Sequence, residues 1–125
     1  MGNANIKYIN FEEVQYAIIS NKATIINTLP ITDQICLIMG SVLGINEEAT
    51  INEILINNKH VQIVVYGKNC SDISATKKAI QLQTLGCRNV CVYGGGLFEW
   101  LLLQDIYGKT EFKTTNKIVD LLKYK

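Results

Sequence analysis

The sequence predicts a three-layer α/β fold, with a mostly parallel central sheet and helices on both faces. Three observations lead there. Apolar, β-branched runs of strand length recur at Ala23–Thr28, Val61–Tyr66 and Asn89–Tyr93. Continuous runs of this kind mark strands covered on both faces, as parallel strands are. Helical patterns alternate with them through short connections, which is how parallel sheets are wound.

The elements follow in order. Lys7-Tyr8-Ile9 is a short strand, and Asn10 is placed to cap a helix over Phe11–Ser20, with Glu13 three residues on completing a capping box. The second strand, Ala23–Thr28, stops at Leu29-Pro30, because proline has no N–H for a ladder. Ile35–Met39 is a further apolar piece ended by Gly40, a candidate strand together with Ser41-Val42. Asn46 or Thr50 caps a helix over Glu47–Ile56, and Asn57–His60 is a turn. Val61–Tyr66 is the third long strand, and a helical pattern begins near Ile73. That pattern puts Ile73, Ile80 and Leu85 on one stripe, with Ala75, Ala79 and Leu82 alongside. Gly86 follows, where a helix end favours a left-handed residue. Asn89–Tyr93 is a strand, Gly94-Gly95-Gly96 a tight turn, and Leu97–Ile106 a helix apolar nearly all round, expected to be largely buried. Thr114 or Thr115 then caps a last amphipathic helix over Lys117–Lys123, with Ile118, Leu121 and Leu122 inward.

Composition bounds what such a chain does. Residues 1–125 suffice for a single domain with its own core. A hydrophobic content of 48% and a single proline argue against disorder. Net charge is +1 and the lysines are scattered, so there is no electrostatic footprint for nucleic acid. Lys77-Lys78 and Lys123/Lys125 read as solvated faces. No run approaches the roughly 18 apolar residues of a transmembrane segment. Four cysteines without a secretory signal point to a reducing compartment, the cytoplasm, and to free thiols. Met1-Gly2-Asn3 offers Gly2 for N-myristoylation, although the sixth position is Ile6 where that signal asks for Ser or Thr. Cys36, Cys70, Cys87 and Cys91 contain no Cys-x-x-Cys pair, so neither a zinc site nor another cofactor is expected. His60 lies in a polar turn and reads as a surface residue. The glycine triplet lacks the spacing of a dinucleotide-binding turn, and Trp100 with Phe98 reads as helix-to-sheet packing.

The candidate site is the loop Gly67-Lys68-Asn69-Cys70-Ser71-Asp72, which runs from a buried strand into a helix starting at Ile73. Such a junction gathers free backbone N–H groups and the positive end of a helix dipole. It binds anions and lowers the pKa of a thiol placed in it. Cys70 is the thiol in this loop and the candidate nucleophile. Amides of Asn69, Ser71 and Asp72 and the charge of Lys68 favour its thiolate, whereas the neighbouring Asp72 carboxylate disfavours it. Cys36, Cys87 and Cys91 sit in apolar surroundings and read as small buried hydrophobes.

The order of motifs resembles a single-domain rhodanese, the sulfurtransferase fold, over nearly the whole chain. Ile25-Ile26-Asn27-Thr28-Leu29 resembles the family's first core strand, Leu-Ile-Asp-Val-Arg. Ile38-Met39-Gly40-Ser41-Val42 resembles His-Ile-x-Gly-Ala-Ile. Val64-Val65-Tyr66 with its six-residue loop resembles the catalytic strand and active-site loop. Gly86-Cys87-Arg88-Asn89-Val90 and Gly95-Gly96-Leu97-Phe98-Glu99-Trp100 resemble Gly-x-x-Asn-Val and Gly-Gly-x-x-x-Trp. The chemical signature departs from the family. The persulfide cysteine's position holds Gly67, the Arg or Lys at the loop's sixth position is Asp72, and Asn27, Leu29 and Leu37 replace the motif's Asp, Arg and His.

The resemblance therefore implies a rhodanese-homology domain without its standard persulfide cysteine, binding an anion, another ligand or a protein partner through the loop. The alternative is a sulfurtransferase with a displaced nucleophile: Cys70 takes sulfur from a small anionic donor such as thiosulfate, or from a protein persulfide, and yields it to a second nucleophile. Three residues of displacement weigh against that, because aligned chemistry tolerates only about 1 Å. A phosphatase, known on the same fold, needs an arginine six residues after its cysteine. Here that position is Thr76.

Overall fold

A computed structural model describes residues 6–125. Gly2, the candidate acylation site, lies outside the described residues. The strands are β1 (Lys7–Ile9), β2 (Thr24–Asn27), β3 (Ser41–Val42), β4 (Ile63–Tyr66) and β5 (Val90–Tyr93). They form one sheet in the order β1-β5-β4-β2-β3 with every pairing parallel. The helices are α1 (Phe11–Ser20), α2 (Glu47–Asn57), α3 (Ser74–Leu85) and α4 (Gly96–Tyr107).

Strand alternation divides the core into two layers. Ile25, Val64, Tyr66, Cys91 and Tyr93 face α1 and α4, where Val14, Ala17, Leu97, Trp100 and Leu101 close the layer together with Phe112 and Tyr124. Ile26, Ile63, Val65, Val90 and Val92 face α2 and α3, against Ile51, Ile54, Ala75, Ala79 and Leu82. All residues of β4 and β5 are buried, which explains their unbroken apolar sequence. Trp100, fully buried, anchors the first layer. It meets Tyr93 and Phe112 edge-on at centroid distances of 6.1 and 5.1 Å, and its indole N–H donates to Lys113 O at 3.0 Å.

The ends of the helices follow the expected chemistry in part. Asn10 Oδ1 accepts from Glu13 N at 3.1 Å, and Gly86 closes α3 with φ of 118°. Asn46 precedes α2 without a side-chain cap; Thr50 instead bonds back to Asn46 O at 2.9 Å.

Four expectations are corrected. The expected stripe of Ile73, Ile80 and Leu85 is not the buried face of α3. These residues are exposed, and Ala75, Ala79 and Leu82 pack on the sheet. The buried set keeps i, i+4, i+7 spacing, and its alanines let the helix approach closely, whereas the larger residues drift off that face. Helix α4 is only half enclosed: Leu97, Trp100 and Leu101 are buried, while Ile106 and Tyr107 are exposed. Ile35–Met39 does not join the sheet. Its core residues Cys36, Leu37 and Ile38 are buried, but they lie along residues 113–115 through an antiparallel Ile38–Thr114 bridge, and only Ser41-Val42 reaches β2. The C-terminal helix over Lys117–Lys123 is absent. Thr115 is committed to Leu37 by bonds of 2.8 and 3.0 Å, so it cannot cap, and Asp120 Oδ1 instead accepts from Leu122 N at the start of a 3₁₀ turn, Leu121–Tyr124. Ile118 and Leu121 pack partly against the core as expected, whereas Leu122 is exposed and Tyr124 is fully buried.

Candidate functional site

All five strands run the same way, so the segments following β2, β4 and β5 meet at one edge, where ligands of open parallel sheets bind. The loop after β4 sits at its centre. Its backbone is clamped from the α4 side, with Leu97 N donating to Gly67 O at 3.0 Å and Phe98 N to Lys68 O at 2.9 Å. The approach is close enough to require glycine at residue 96, where φ is +70° and a Cβ would stand 2.9 Å from both Asn69 N and Gly67 O. Asn69 Nδ2 donates to Tyr124 O at 3.1 Å, tying the loop to the C-terminal turn.

Inside the loop, Asp72 acts as an internal anion. Its Oδ2 accepts from Lys68 N at 2.9 Å and its Oδ1 from Ser74 N at 2.9 Å. Asn69 takes two more amides, Ser71 N on Oδ1 at 3.0 Å and Asp72 N on its carbonyl at 3.2 Å. Burial opposes ionisation of Asp72. The Lys68 amide, the Ser74 hydroxyl and amide, and the Lys68 charge outweigh it and hold the carboxyl below the usual carboxylate range. Ser74 Oγ also lies 2.6 Å from Thr28 Oγ1, which carries the network across to the end of β2.

Gly67 is buried beneath this carboxylate. A Cβ there would stand 2.7 Å from Asp72 Oδ2 and 3.2 Å from Thr28 Oγ1. Of the residues expected at the site, Lys68, Asn69, Ser71 and Asp72 thus form one hydrogen-bonded unit, while Gly67 beside them is bonded to Leu97 N of α4. The Ser71 and Asp72 amides face loop acceptors rather than open space. Ile73 ends the loop with its side chain exposed.

Cys70 is the exposed cysteine, while Cys36, Cys87 and Cys91 are buried. Burial pushes those three thiols up, which makes them poor nucleophiles. Cys70 lines a recess of about 250 Å³ with Tyr8, Gly67, Thr76 and Gly94. A larger cleft of about 630 Å³ opens on the other side of the loop, between the start of α3 and the segment after β2. Among the described residues, no group of three or more His, Cys, Asp and Glu side chains is placed to hold a metal, and no helix is long and apolar enough to cross a membrane.

Sequence reasoning missed Thr28, Ser74, Gly96 and Tyr124 as partners of the loop. Only Asp72-x-Ser74 carried a local signal, since an aspartate commonly caps the amide two residues on. The others come from distant elements and leave no mark at loop spacing.

The architecture places the chain among rhodanese-like α/β folds, and solved structures agree. The Alr3790 protein from Anabaena sp. superposes with a TM-score of 0.63 at 20% identity, covering 90% of this chain and 83% of that one. A rhodanese-like domain of the same Anabaena protein gives 0.52 at 23% identity, covering 75% and 99%. Thiosulfate sulfurtransferase from Pseudomonas aeruginosa gives 0.57 at 20% identity over 78% of this chain, which spans 19% of that enzyme. No protein-family model matches the sequence, and no curated protein is significantly similar to it.

Proposed function

We propose that this chain is a rhodanese-homology domain that has lost persulfide chemistry at the usual position and works by binding, with a protein partner the favoured ligand of its loop. The pair Gly67 and Asp72 carries this reading. Residue 67 has no side chain to hold sulfur, and the room above it is taken by the Asp72 carboxylate. A loop whose Lys68 amide serves the Asp72 carboxylate and whose Ser71 and Asp72 amides serve Asn69 has little left for a free anion, so a protein surface suits it better than thiosulfate does. Exposed Cys70, Ser71 and Ile73 stand at its tip.

A second reading keeps sulfur transfer and assigns it to Cys70. Its support is the exposure of that thiol beside the recess near Tyr8 and Thr76. In that cycle the Cys70 thiolate takes the outer sulfur of thiosulfate, releasing sulfite, and cyanide then removes it as thiocyanate.

One assay separates the two: thiosulfate-to-cyanide transfer by the folded protein beside Cys70→Ser. The binding reading expects no thiocyanate above buffer from either protein. Turnover lost in Cys70→Ser makes Cys70 a relocated nucleophile and overturns it.

A further inference from the structure

The cleft between α3 and the segment following β2 has the build of a ligand site that adjoins the loop through Thr28 and Ser74. Its volume of about 630 Å³ lies within the roughly 300–1,000 Å³ usual for small-molecule pockets. One wall is the face of α3 bearing Ser74, Lys77 and Lys78, at the i, i+3, i+4 spacing that aligns them. The opposite wall is apolar, made by Leu29, Pro30 and Ile31, and Ile31 is 78% exposed although it has a cleft to face.

That apolar wall is held in place by two side-chain amides. Gln34 Nε2 donates to Leu29 O at 2.9 Å while its Oε1 accepts from Gly44 N at 2.9 Å. Buried Asn27 accepts from Leu29 N at 3.1 Å and donates to Val42 O at 3.0 Å. A wall fixed in advance loses little freedom when something binds against it.

Charge then selects the ligand. Lys78 is neutralised by Glu47 at 2.6 Å across one end of the cleft. Among the described residues Lys77 makes no ion pair, so its ammonium is the uncompensated charge of the lining. At the β2 end stand the hydroxyls of Thr28 and Ser74. We infer that this cleft binds a small amphipathic anion, with an apolar chain or ring along Leu29–Ile31 and a carboxylate paired with Lys77. The inference does not depend on what Cys70 does, and Lys77 meets the loop only through its backbone N–H, which donates to Ile73 O at 3.1 Å, so a side-chain substitution leaves that bond in place.

The test uses octanoate and octanol as probes, followed by two-dimensional ¹H–¹⁵N NMR on the full chain. Octanoate should give saturable shifts at the Gly44 amide and the Gln34 side-chain amide, and should bind more tightly than octanol. Lys77→Ala, an exposed substitution, should weaken octanoate up to about fivefold, the upper end of what a surface ion pair contributes at about 1 kcal/mol, and leave octanol unchanged. Lys77→Arg should restore the preference. Equal binding of the two probes, an unchanged octanoate affinity in Lys77→Ala, or no shift at those amides up to roughly 10 mM would each overturn the inference.

Discussion

The carboxylate of Asp72 lies where a side chain on residue 67 would begin, 2.7 Å from the position of its Cβ. The two positions are therefore linked: a glycine at 67 makes room for the carboxylate, and a larger residue there requires the carboxylate to shift. The backbone is not the obstacle, since Gly67 is not among the glycines with positive φ. Gly67→Cys should accordingly destabilise the protein by about 1–3 kcal/mol, the usual cost of overpacking. Asp72→Ala should lower stability by losing the contacts to Lys68 and Ser74. Combined, the two changes should cost less than their sum, because the second removes the clash created by the first. Urea unfolding of the four proteins checks this, and strict additivity would show that the carboxylate simply swings aside.

Asp72 should also make stability depend on acid. Its folded-state pKa is depressed, so it contributes stability above its unfolded pKa of about 3.9, and that contribution disappears as the pH falls through the lower folded value. Asp72→Asn lacks the titration. The urea midpoint of the wild type should exceed that of Asp72→Asn at pH 7, and the two should converge as the pH falls below about 3.9. A gap unchanged by acid would mean that Asp72 gains nothing from its ionised state.

The fold was largely legible because its signals are short-range. The unbroken apolar residues of β4 and β5, Asn10 with Glu13, and Gly86 each depend on neighbours within a few positions. The misread parts are decided by contacts far along the chain. Thr115 looked like a cap but is held by Leu37, and the Ile35–Met39 run pairs with residues 113–115 instead of with the sheet. The site divides in the same way. The position and identity of the loop could be read from Tyr66-Gly67 and the helix pattern beyond, but not its self-filled state, which depends on where a carboxylate and two hydroxyls point.

Trp100 should be the costliest single truncation in the α1–α4 layer. It is fully buried between Tyr93 and Phe112 and its indole N–H is bonded to Lys113 O, so Trp100→Ala leaves a cavity and removes one of the two donors to that carbonyl, Met39 N at 3.0 Å being the other. A loss of about 3–5 kcal/mol is expected by urea unfolding. Trp100→Phe should recover part of that by refilling space, without the hydrogen bond to the 113–115 segment. A loss below about 1 kcal/mol for the alanine variant would show that the layer closes over the gap.

Alkylation should sort the four thiols by burial. Cys70 is exposed, whereas Cys36, Cys87 and Cys91 are almost wholly enclosed, and burial raises the pKa of all three. Native protein treated with iodoacetamide near neutral pH should therefore take up one adduct, on Cys70, by peptide mass spectrometry. Unfolding in urea should open the other three sites. The rate on Cys70 carries the functional information, because a nucleophile tuned for sulfur transfer reacts faster than a free cysteine, and an ordinary loop thiol does not. Labelling of Cys70 no faster than that of free cysteine supports the binding reading, and markedly faster labelling overturns it.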